Sequence, residues 1–286
     1  VSIDFYINET TQHADIILPP TSALEHDHYD IAFHRLAVHN TARFNEPVFE
    51  PAAGTLHDWE IFNGLGQAIA AHKGIDSKPL PSPDKLIDMG IQRGPYSAAA
   101  GHELELTLDK IKQHPHGLDI GPLAPSLPER LCTADGKITL VADYITKDLK
   151  RLGADKATTE ADELLLIGRR HIRSNNSWLH NSHRLVKGKP RWQLLMHPED
   201  LAAHKLEDQG QVRITSRVGE VVTQVVASDE VMPGVVSLPH GWGHKRAGVS
   251  MAIAGEQEGV SCNDLTDDKL VDQISGNAAL NGVPVR

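Results

Sequence analysis

Leu164-Leu-Leu-Ile-Gly-Arg-Arg-His-Ile-Arg-Ser-Asn-Asn-Ser-Trp178 is the stretch that decides the fold of the second half of this chain. Its apolar start indicates a buried strand, and the strand leads directly into a loop rich in cations, amides and hydroxyls. Residues 164–198 hold seven Lys or Arg and no Asp or Glu, although the chain has a formal net charge of −10. Arginine forks suit the phosphates of a polyanionic ligand, but on charge alone a solvated basic loop is the commoner explanation.

The residues after this loop are typical of a β-rich domain. His197-Pro-Glu-Asp200 is predicted to begin a helix with proline and carboxylates in its first turn. Short apolar or alternating runs that indicate strands occur at residues 192–195, 211–215, 220–227 and 235–238. The second and third of these runs flank a turn at Val218-Gly219 and predict a hairpin. Short strands at this spacing favour a small closed barrel, which leaves no exposed sheet edge.

The first half of the chain is typical of an α/β fold. Residues 1–7 and 14–18 are apolar runs of strand length, as expected for parallel strands covered on both faces. Asp58 is predicted to cap a helix that ends at Gly74. The residues predicted to form the apolar face of this helix are Trp59, Phe62, Leu65 and Ile69.

Three segments are predicted along the chain. Residues 1–83 form the C-terminal part of an α/β domain, residues 84–162 a connector with short helices and extended segments, and residues 163–286 a β-barrel domain. Within the connector, residues 85–89 and 104–111 have helical spacing, and residues 137–141 indicate a strand. The acidic run at residues 155–162 marks the expected boundary before the barrel.

Composition excludes several classes of function. The acidic balance argues against a nucleic-acid partner, and no apolar run reaches the roughly 18 residues of a membrane span. Cys132 and Cys262 lie far apart without metal-ligand spacing, which fits free thiols in a reducing, cytoplasmic setting. The chain starts at Val1, without methionine and inside an apolar run, so we expect a piece of a longer polypeptide.

Blocks in a fixed order along the chain resemble one known family. They include Glu9-Thr-Thr-Gln-His-Ala-Asp-Ile-Ile-Leu-Pro19, His116-Gly-Leu-Asp-Ile-Gly-Pro-Leu123, Met196-His-Pro-Glu-Asp200, Pro239-His-Gly-Trp-Gly243 and Asn263-Asp-Leu-Thr266. Together they are similar to the C-terminal part of the molybdopterin-guanine-dinucleotide oxidoreductases, the dimethyl sulfoxide reductase superfamily that includes formate dehydrogenases and nitrate reductases. Any single block is weak evidence, whereas their common order covers nearly the whole chain.

The resemblance implies a fold and a cofactor. The expected fold is a partial Rossmann-like α/β domain followed by a double-psi β-barrel, which closes over a bis-molybdopterin guanine dinucleotide carrying Mo or W. The expected parent enzyme catalyses two-electron or oxygen-atom transfer. Its 4Fe-4S cluster and metal ligand lie in N-terminal domains outside this sequence, so this chain alone is expected to be inactive. Those domains and an electron-transfer subunit are the implied partners.

The resemblance also implies which residues contact the cofactor. No catalytic residue and no metal ligand is assigned to this chain. Cations are expected to hold the phosphates, glycines to let the backbone approach, and amide side chains to contact the pterin edges. The predicted cofactor-binding residues are Gly168, Arg169, Arg170, Arg173, Asn175, Asn176, Ser177, Trp178, His240, Trp242 and Asn263. For each of the two tryptophans, stacking on a ring and anchoring the core are equally open.

Three other hypotheses stay open at this point. The spacings of His180 with His183 and of His240 with His244 suit zinc, but no cysteine or acidic cluster accompanies them. The chain could be a structural subunit that has lost the cofactor, in which case its basic loop has no evident purpose. A standalone ligand-binding barrel is the third hypothesis, and it leaves the block at residues 9–25 unexplained.

Overall fold

The computed structural model describes residues 1–154 and 162–286. Most of the predicted boundary at residues 155–162 therefore lies outside the described residues. The chain divides into two compact units. Unit 1 comprises Val1–Phe5 and Ala14–Ile138, and unit 2 comprises Tyr6–His13 and Thr139–Arg286. No helix within the described ranges is long and apolar enough to cross a membrane.

Unit 1 combines short strands with three helices. Strands β1 (Ser2–Ile3) and β2 (Ile17–Leu18) are paired in parallel, which confirms one parallel pair of the expected α/β fold. Its other elements are β3 (Thr41–Ala42), α1 (Asp58–His72), α2 (Pro83–Gln92), α3 (Leu108–Lys112) and β4 (Leu118–Asp119), with 3₁₀ turns at Phe33–Leu36 and Ala98–Ala100. Strands β3 and β4 pair antiparallel. The Rossmann-like form of this part stays a prediction.

The helix α1 differs from its prediction in two details. Its N-cap is His57 rather than Asp58, and the Glu60 carboxylate accepts the His57 backbone N–H at 2.9 Å. Phe62 and Ile69, predicted on a buried face, are exposed. Periodicity shows that a helix face is apolar, but it does not show that another element covers that face.

The prediction of a strand at residues 137–141 is wrong, because that segment is irregular.

Unit 2 is built on one curled six-stranded sheet. After helix α4 (Asp143–Ala154), its elements are β5 (Leu164–Arg169), α5 (His183–Val186), β6 (Leu194–Met196), α6 (Pro198–Ala203), β7 (Gln211–Thr215), β8 (Glu220–Ala227), β9 (Val235–Pro239) and β10 (Val283–Val285). The strand order is β10-β5-β9-β6-β8-β7. The antiparallel β7–β8 pairing confirms the predicted hairpin. Short 3₁₀ turns lie at Thr11–His13, Ala254–Glu256 and Cys262–Leu265.

The edges of this sheet meet. Thr215 at the end of β7 and Arg286 just after β10 exchange both backbone hydrogen bonds, at 2.8 and 2.9 Å. The sheet encloses an apolar core in which Leu166, Val225 and Leu238 are almost fully buried. This backbone pairing joins the two outer strands of the curled sheet at one point.

Candidate functional site

Two adjacent loops leave the sheet of unit 2 at the same edge. Strands β5 and β9 are parallel neighbours, and Arg169 at the end of β5 is opposite Pro239 at the end of β9. The His240 N–H then donates to the Arg169 carbonyl at 2.9 Å, which extends the pairing by one step. We call residues 170–183 the basic loop and residues 240–248 the glycine loop. The sheet therefore brings together two segments that are distant in the sequence.

Glycines let the backbones of these segments touch. Gly241 has φ +90°, and a Cβ atom at this position would lie 2.1 Å from the carbonyl oxygen of Asn176 in the basic loop. Gly243 has φ +100°, and a Cβ atom there would lie 2.5 Å from the Ser261 nitrogen. Ser261 precedes the 3₁₀ turn that carries Asn263. The glycine loop thus packs between the basic loop and the Asn263 segment, which all carry predicted site residues.

Most cations of residues 164–198 have no partner among the residues that the structure describes. Arg169 is the main exception: its guanidinium donates to the Ser237 carbonyl at 2.9 Å, to the Ser237 hydroxyl at 3.2 Å and to the Gln193 carbonyl at 2.8 Å. Arg191 donates to the Leu185 carbonyl at 2.6 Å. The exposed cations that form no ion pair or side-chain hydrogen bond within the described part of the chain are Arg170, Arg173, Arg184, Lys187 and Lys189.

These cations make the loop edge electropositive. Burial lowers the pKa of His171, and the positive charges of Arg191, Arg173 and Arg169 lower it further. The pKa of His240 is lowered first by burial and then by the charge of Arg170. Both shifts disfavour the charged form of these histidines, and the same uncompensated positive charge favours an anion at this edge.

The polar residues of the basic loop are accessible. Asn175 and Asn176 are exposed and adopt left-handed backbone conformations, with φ +41° and +63°, which turn the chain beside Gly241. Ser177 is half-buried, and Trp178 is 78% exposed. Trp178 is therefore available for stacking and does not anchor the core.

The remaining predicted residues have mixed surroundings. The Gly168 N–H donates to the Asn281 side-chain oxygen at 2.8 Å. Half-buried His240 has its Nδ1 atom 3.8 Å from the Cys262 sulfur, and Asn263 is exposed. Trp242 is only 5% exposed. It lies inside the unit as a core residue, so its ring is poorly placed to stack on a ligand.

The structure also shows a buried histidine pair that sequence spacing did not predict. His180 and His244 each belonged to a different zinc-like pair, but they lie next to each other, with His180 Nδ1 and His244 Nε2 2.9 Å apart. His180 Nε2 is 2.9 Å from the Ser174 hydroxyl, and His244 Nδ1 is 2.8 Å from a Glu9 carboxylate oxygen. No group of three or more His, Cys, Asp or Glu in the described part of the chain could hold a metal ion.

Burial explains why this pair is tightly defined. His180 is 1% exposed and stacks on the Trp242 ring at a centroid distance of 4.1 Å. His244 and Ser174 are also buried, so each of their polar side-chain atoms needs a partner within the unit. No signal in the sequence could have joined Glu9 to His244, because 235 residues separate them.

The buried His180 predicts a pH dependence of stability. Burial, followed by the charge of His244, lowers its pKa to about 4, whereas an unfolded histidine titrates near 6.5. Below pH 6.5 this histidine is therefore protonated in the unfolded chain but remains neutral in the folded one. The contribution of His180 to the free energy of unfolding is thus fully present above pH 6.5 and decreases as the pH falls towards 4. Between pH 7.5 and 4.5 we expect His180 to contribute a loss of about 2–3 kcal/mol.

Urea unfolding at several pH values measures this contribution. His180→Gln should be less stable than the wild type at pH 7.5 but lose less stability on acidification. His183→Gln is the matched control, because it removes an exposed histidine from the same loop but leaves His180 in place, so the acid sensitivity due to His180 should remain. Equal acid sensitivity in the wild type and His180→Gln would contradict the assignment.

Comparisons with known proteins agree with the resemblance found in the sequence. The family model of the Molydopterin dinucleotide binding domain matches residues 164–284. The chain is 25% identical to the probable oxidoreductase YoaE of Bacillus subtilis over 98% of this chain and 38% of that protein. It is 23% identical to the dimethyl sulfoxide/trimethylamine N-oxide reductase of Rhodobacter capsulatus over 83% of this chain and 31% of that protein.

A solved structure shares the fold. Acetylene hydratase from Pelobacter acetylenicus aligns with 94% of this chain and 37% of its own length, with a TM-score of 0.61 at 16% sequence identity. The chain spans less than two fifths of the length of each of these three proteins.

Proposed function

We propose that this chain, whose residues 164–284 belong to the Molydopterin dinucleotide binding domain family, supplies part of the site where a molybdenum oxidoreductase holds its molybdopterin guanine dinucleotide. The observation that carries this proposal is the set of exposed, unpaired cations on and after the basic loop, next to the glycine loop. Polyanion binding gives these charges the partner that the described residues of this chain do not provide.

The residues present fit such a ligand. Arg170 and Arg173 are exposed and placed to bind phosphate oxygens, because a guanidinium donates two parallel hydrogen bonds to them. Asn175, Asn176 and Ser177 present donors and acceptors that suit the edges of a pterin or guanine ring. In this proposal Arg169 has a structural role, because its hydrogen bonds to Ser237 and Gln193 fix the start of the basic loop on the sheet.

Asn263, His240 and Trp178 complete the proposed surface. Asn263 is exposed beside the glycine loop, and Trp178 offers a ring face on which a base can stack. Gly168 and Trp242 support the loops from within and need not touch the ligand. When bound, the molybdenum and its pterins would supply two-electron or oxygen-atom transfer, and the residues of this chain would bind and orient the cofactor without acting as catalytic groups.

The architecture is part of the same proposal. The contact between Thr215 and Arg286 supports closure of the six strands into a double-psi barrel over residues 163–286. We propose that residues 1–83 are the end of a Rossmann-like domain and that residues 84–162 connect it to the barrel. Domains that bind a 4Fe-4S cluster and the metal, together with an electron-transfer subunit, are the proposed partners.

Binding of a nucleotide probe tests the proposal. GDP contains the guanine and diphosphate portions of the expected cofactor, so titration calorimetry of the full chain should detect GDP binding. We expect affinity at least about tenfold higher for GDP than for guanosine, because charge-assisted hydrogen bonds to phosphate dominate. Added salt should weaken GDP binding, since the cations are exposed.

Two outcomes would count against this function. If GDP and pyrophosphate both fail to bind at low salt, the structural-subunit hypothesis gains support. If guanosine binds as well as GDP, the unpaired cations do not form the phosphate site.

A further inference from the structure

The buried residues Ser174, His180, His244 and the half-buried Glu9 form one continuous chain of hydrogen bonds within unit 2. The three contacts measure 2.9, 2.9 and 2.8 Å. The Glu9 side chain is 34% exposed, whereas His180, which belongs to the basic loop, is buried. The chain therefore runs from a solvent-accessible carboxylate to the interior of the loop that carries the candidate site.

Elementary hydrogen-bond rules determine the tautomers of both histidines when no additional proton is bound. The Glu9 carboxylate only accepts, so His244 Nδ1 must carry a proton and donate it. His244 Nε2 then carries a lone pair and accepts from His180 Nδ1–H. His180 Nε2 in turn accepts from the Ser174 hydroxyl. Every side-chain atom in these three contacts then has a hydrogen-bond partner, and both histidines are neutral with their proton on Nδ1.

The same geometry accommodates one additional proton without losing a contact. His244 can become an imidazolium that donates through Nδ1 to Glu9 and through Nε2 to His180 Nδ1. The His180 proton then lies on Nε2 and is donated to the Ser174 oxygen. The added proton balances as one new N–H bond: His244 gains a proton, and His180 stays neutral with its tautomer reversed.

We propose that Glu9, His244, His180 and Ser174 form a single-proton switch, in which protonation of His244 reverses the tautomer of His180 while the basic loop remains anchored. The switch does not depend on what the loop binds. Burial disfavours an imidazolium at His180, which fits storage of the proton on His244 beside the carboxylate. At the inner end of the hydrogen-bond chain, the Ser174 hydroxyl changes from donor to acceptor when His244 is protonated.

The charged groups around the switch favour this distribution. On the His180 side, Arg191 and His171 contribute positive or potentially positive charge, which disfavours a second proton on His180. On the His244 side, Glu9 supplies the compensating negative charge. Arg246 also faces Glu9, but its own charge is paired with Asp264. Lys245 is similarly paired with Glu258.

Nitrogen-15 NMR of the full chain with labelled histidine rings tests the switch directly. At pH 8.5 we expect both His180 and His244 to carry their proton on Nδ1. As the pH is lowered, His244 should become doubly protonated and His180 should change to the Nε2–H tautomer, with one shared midpoint. The proposal is overturned if His180 keeps its Nδ1 proton while His244 becomes doubly protonated, if His180 becomes the imidazolium before His244 does, or if neither ring changes before the protein unfolds.

Two variants identify the group that stabilises the stored proton. Glu9→Gln keeps a hydrogen-bond acceptor but removes the charge that faces His244, so the change of the His180 tautomer should require a lower pH than in the wild type. Glu258→Gln is the matched control, because it removes a carboxylate paired with Lys245 in the glycine loop and should move the midpoint little. Equal shifts in the two variants would exclude Glu9 as the stabilising partner. The wild-type measurement decides the proposal even if a variant fails to fold.

Discussion

Gly241→Ala is expected to destabilise unit 2 by at least about 3 kcal/mol, or to prevent its folding. Two costs add at this position. The backbone has φ +90°, which an L-residue with a side chain adopts only with strain. A Cβ atom would also lie 2.1 Å from the Asn176 carbonyl oxygen and 2.7 Å from its carbon. Because these are backbone atoms, the basic loop itself must shift.

Gly234→Ala separates the two costs. Gly234 has a similar φ of +82°, but nothing lies within 4 Å of the position that its Cβ atom would occupy. It should therefore cost only the conformational strain, about 1–2 kcal/mol. Thermal and urea unfolding of both variants measure the difference. Equal losses would show that the close approach of Gly241 to Asn176 contributes little to stability.

Nucleotide binding should respond to Gly241→Ala as well. Displacement of the Asn176 carbonyl moves the turn that carries Asn175, Asn176 and Ser177. Any folded fraction of the variant is thus expected to bind GDP more weakly than Gly234→Ala does. The stability of unit 2 and the shape of the candidate site therefore depend on the same backbone contact.

The sequence predicted the sheet of unit 2 better than the packing of unit 1. Strands at residues 211–215 and 220–227 alternate between the core and solvent, so their hydrophobic pattern determines the element, its register and its buried face. Helix α1 was also predicted, but not which side chains it buries. That depends on neighbours distant in the chain, as the exposed Phe62 and Ile69 show.

The candidate site shows a similar division. Residue types alone predicted a basic loop with arginines and amides, and in the structure these arginines are mostly exposed, without ion-pair partners among the described residues. The sequence could not show which arginine makes hydrogen bonds within the protein, because the partners of Arg169 lie 24 and 68 residues away. The link between Glu9 and His244 likewise arises only when the chain folds.

The double variant Arg170→Ala/Arg173→Ala is expected to weaken GDP binding about 100-fold or more without loss of stability. Each charge-assisted hydrogen bond to phosphate contributes about 1.5–3 kcal/mol, so removal of two guanidinium groups costs at least about 3 kcal/mol of binding free energy. Stability should be unaffected, since neither side chain has a partner among the described residues.

Arg213→Ala/Arg217→Ala is the control that makes this result specific. It removes the same net charge from the same unit, but Arg213 and Arg217 are exposed and paired with Glu220 and Asp267. Long-range attraction alone would weaken GDP binding similarly in both double variants, and that result would contradict a phosphate site at the basic loop. Direct contact predicts a change of less than about threefold in the control, because exposed charges at a distance are screened by salt. Arg169→Ala should differ from both double variants. Its main effect should be a loss of stability, because the Arg169 guanidinium links β5 to Ser237 and Gln193.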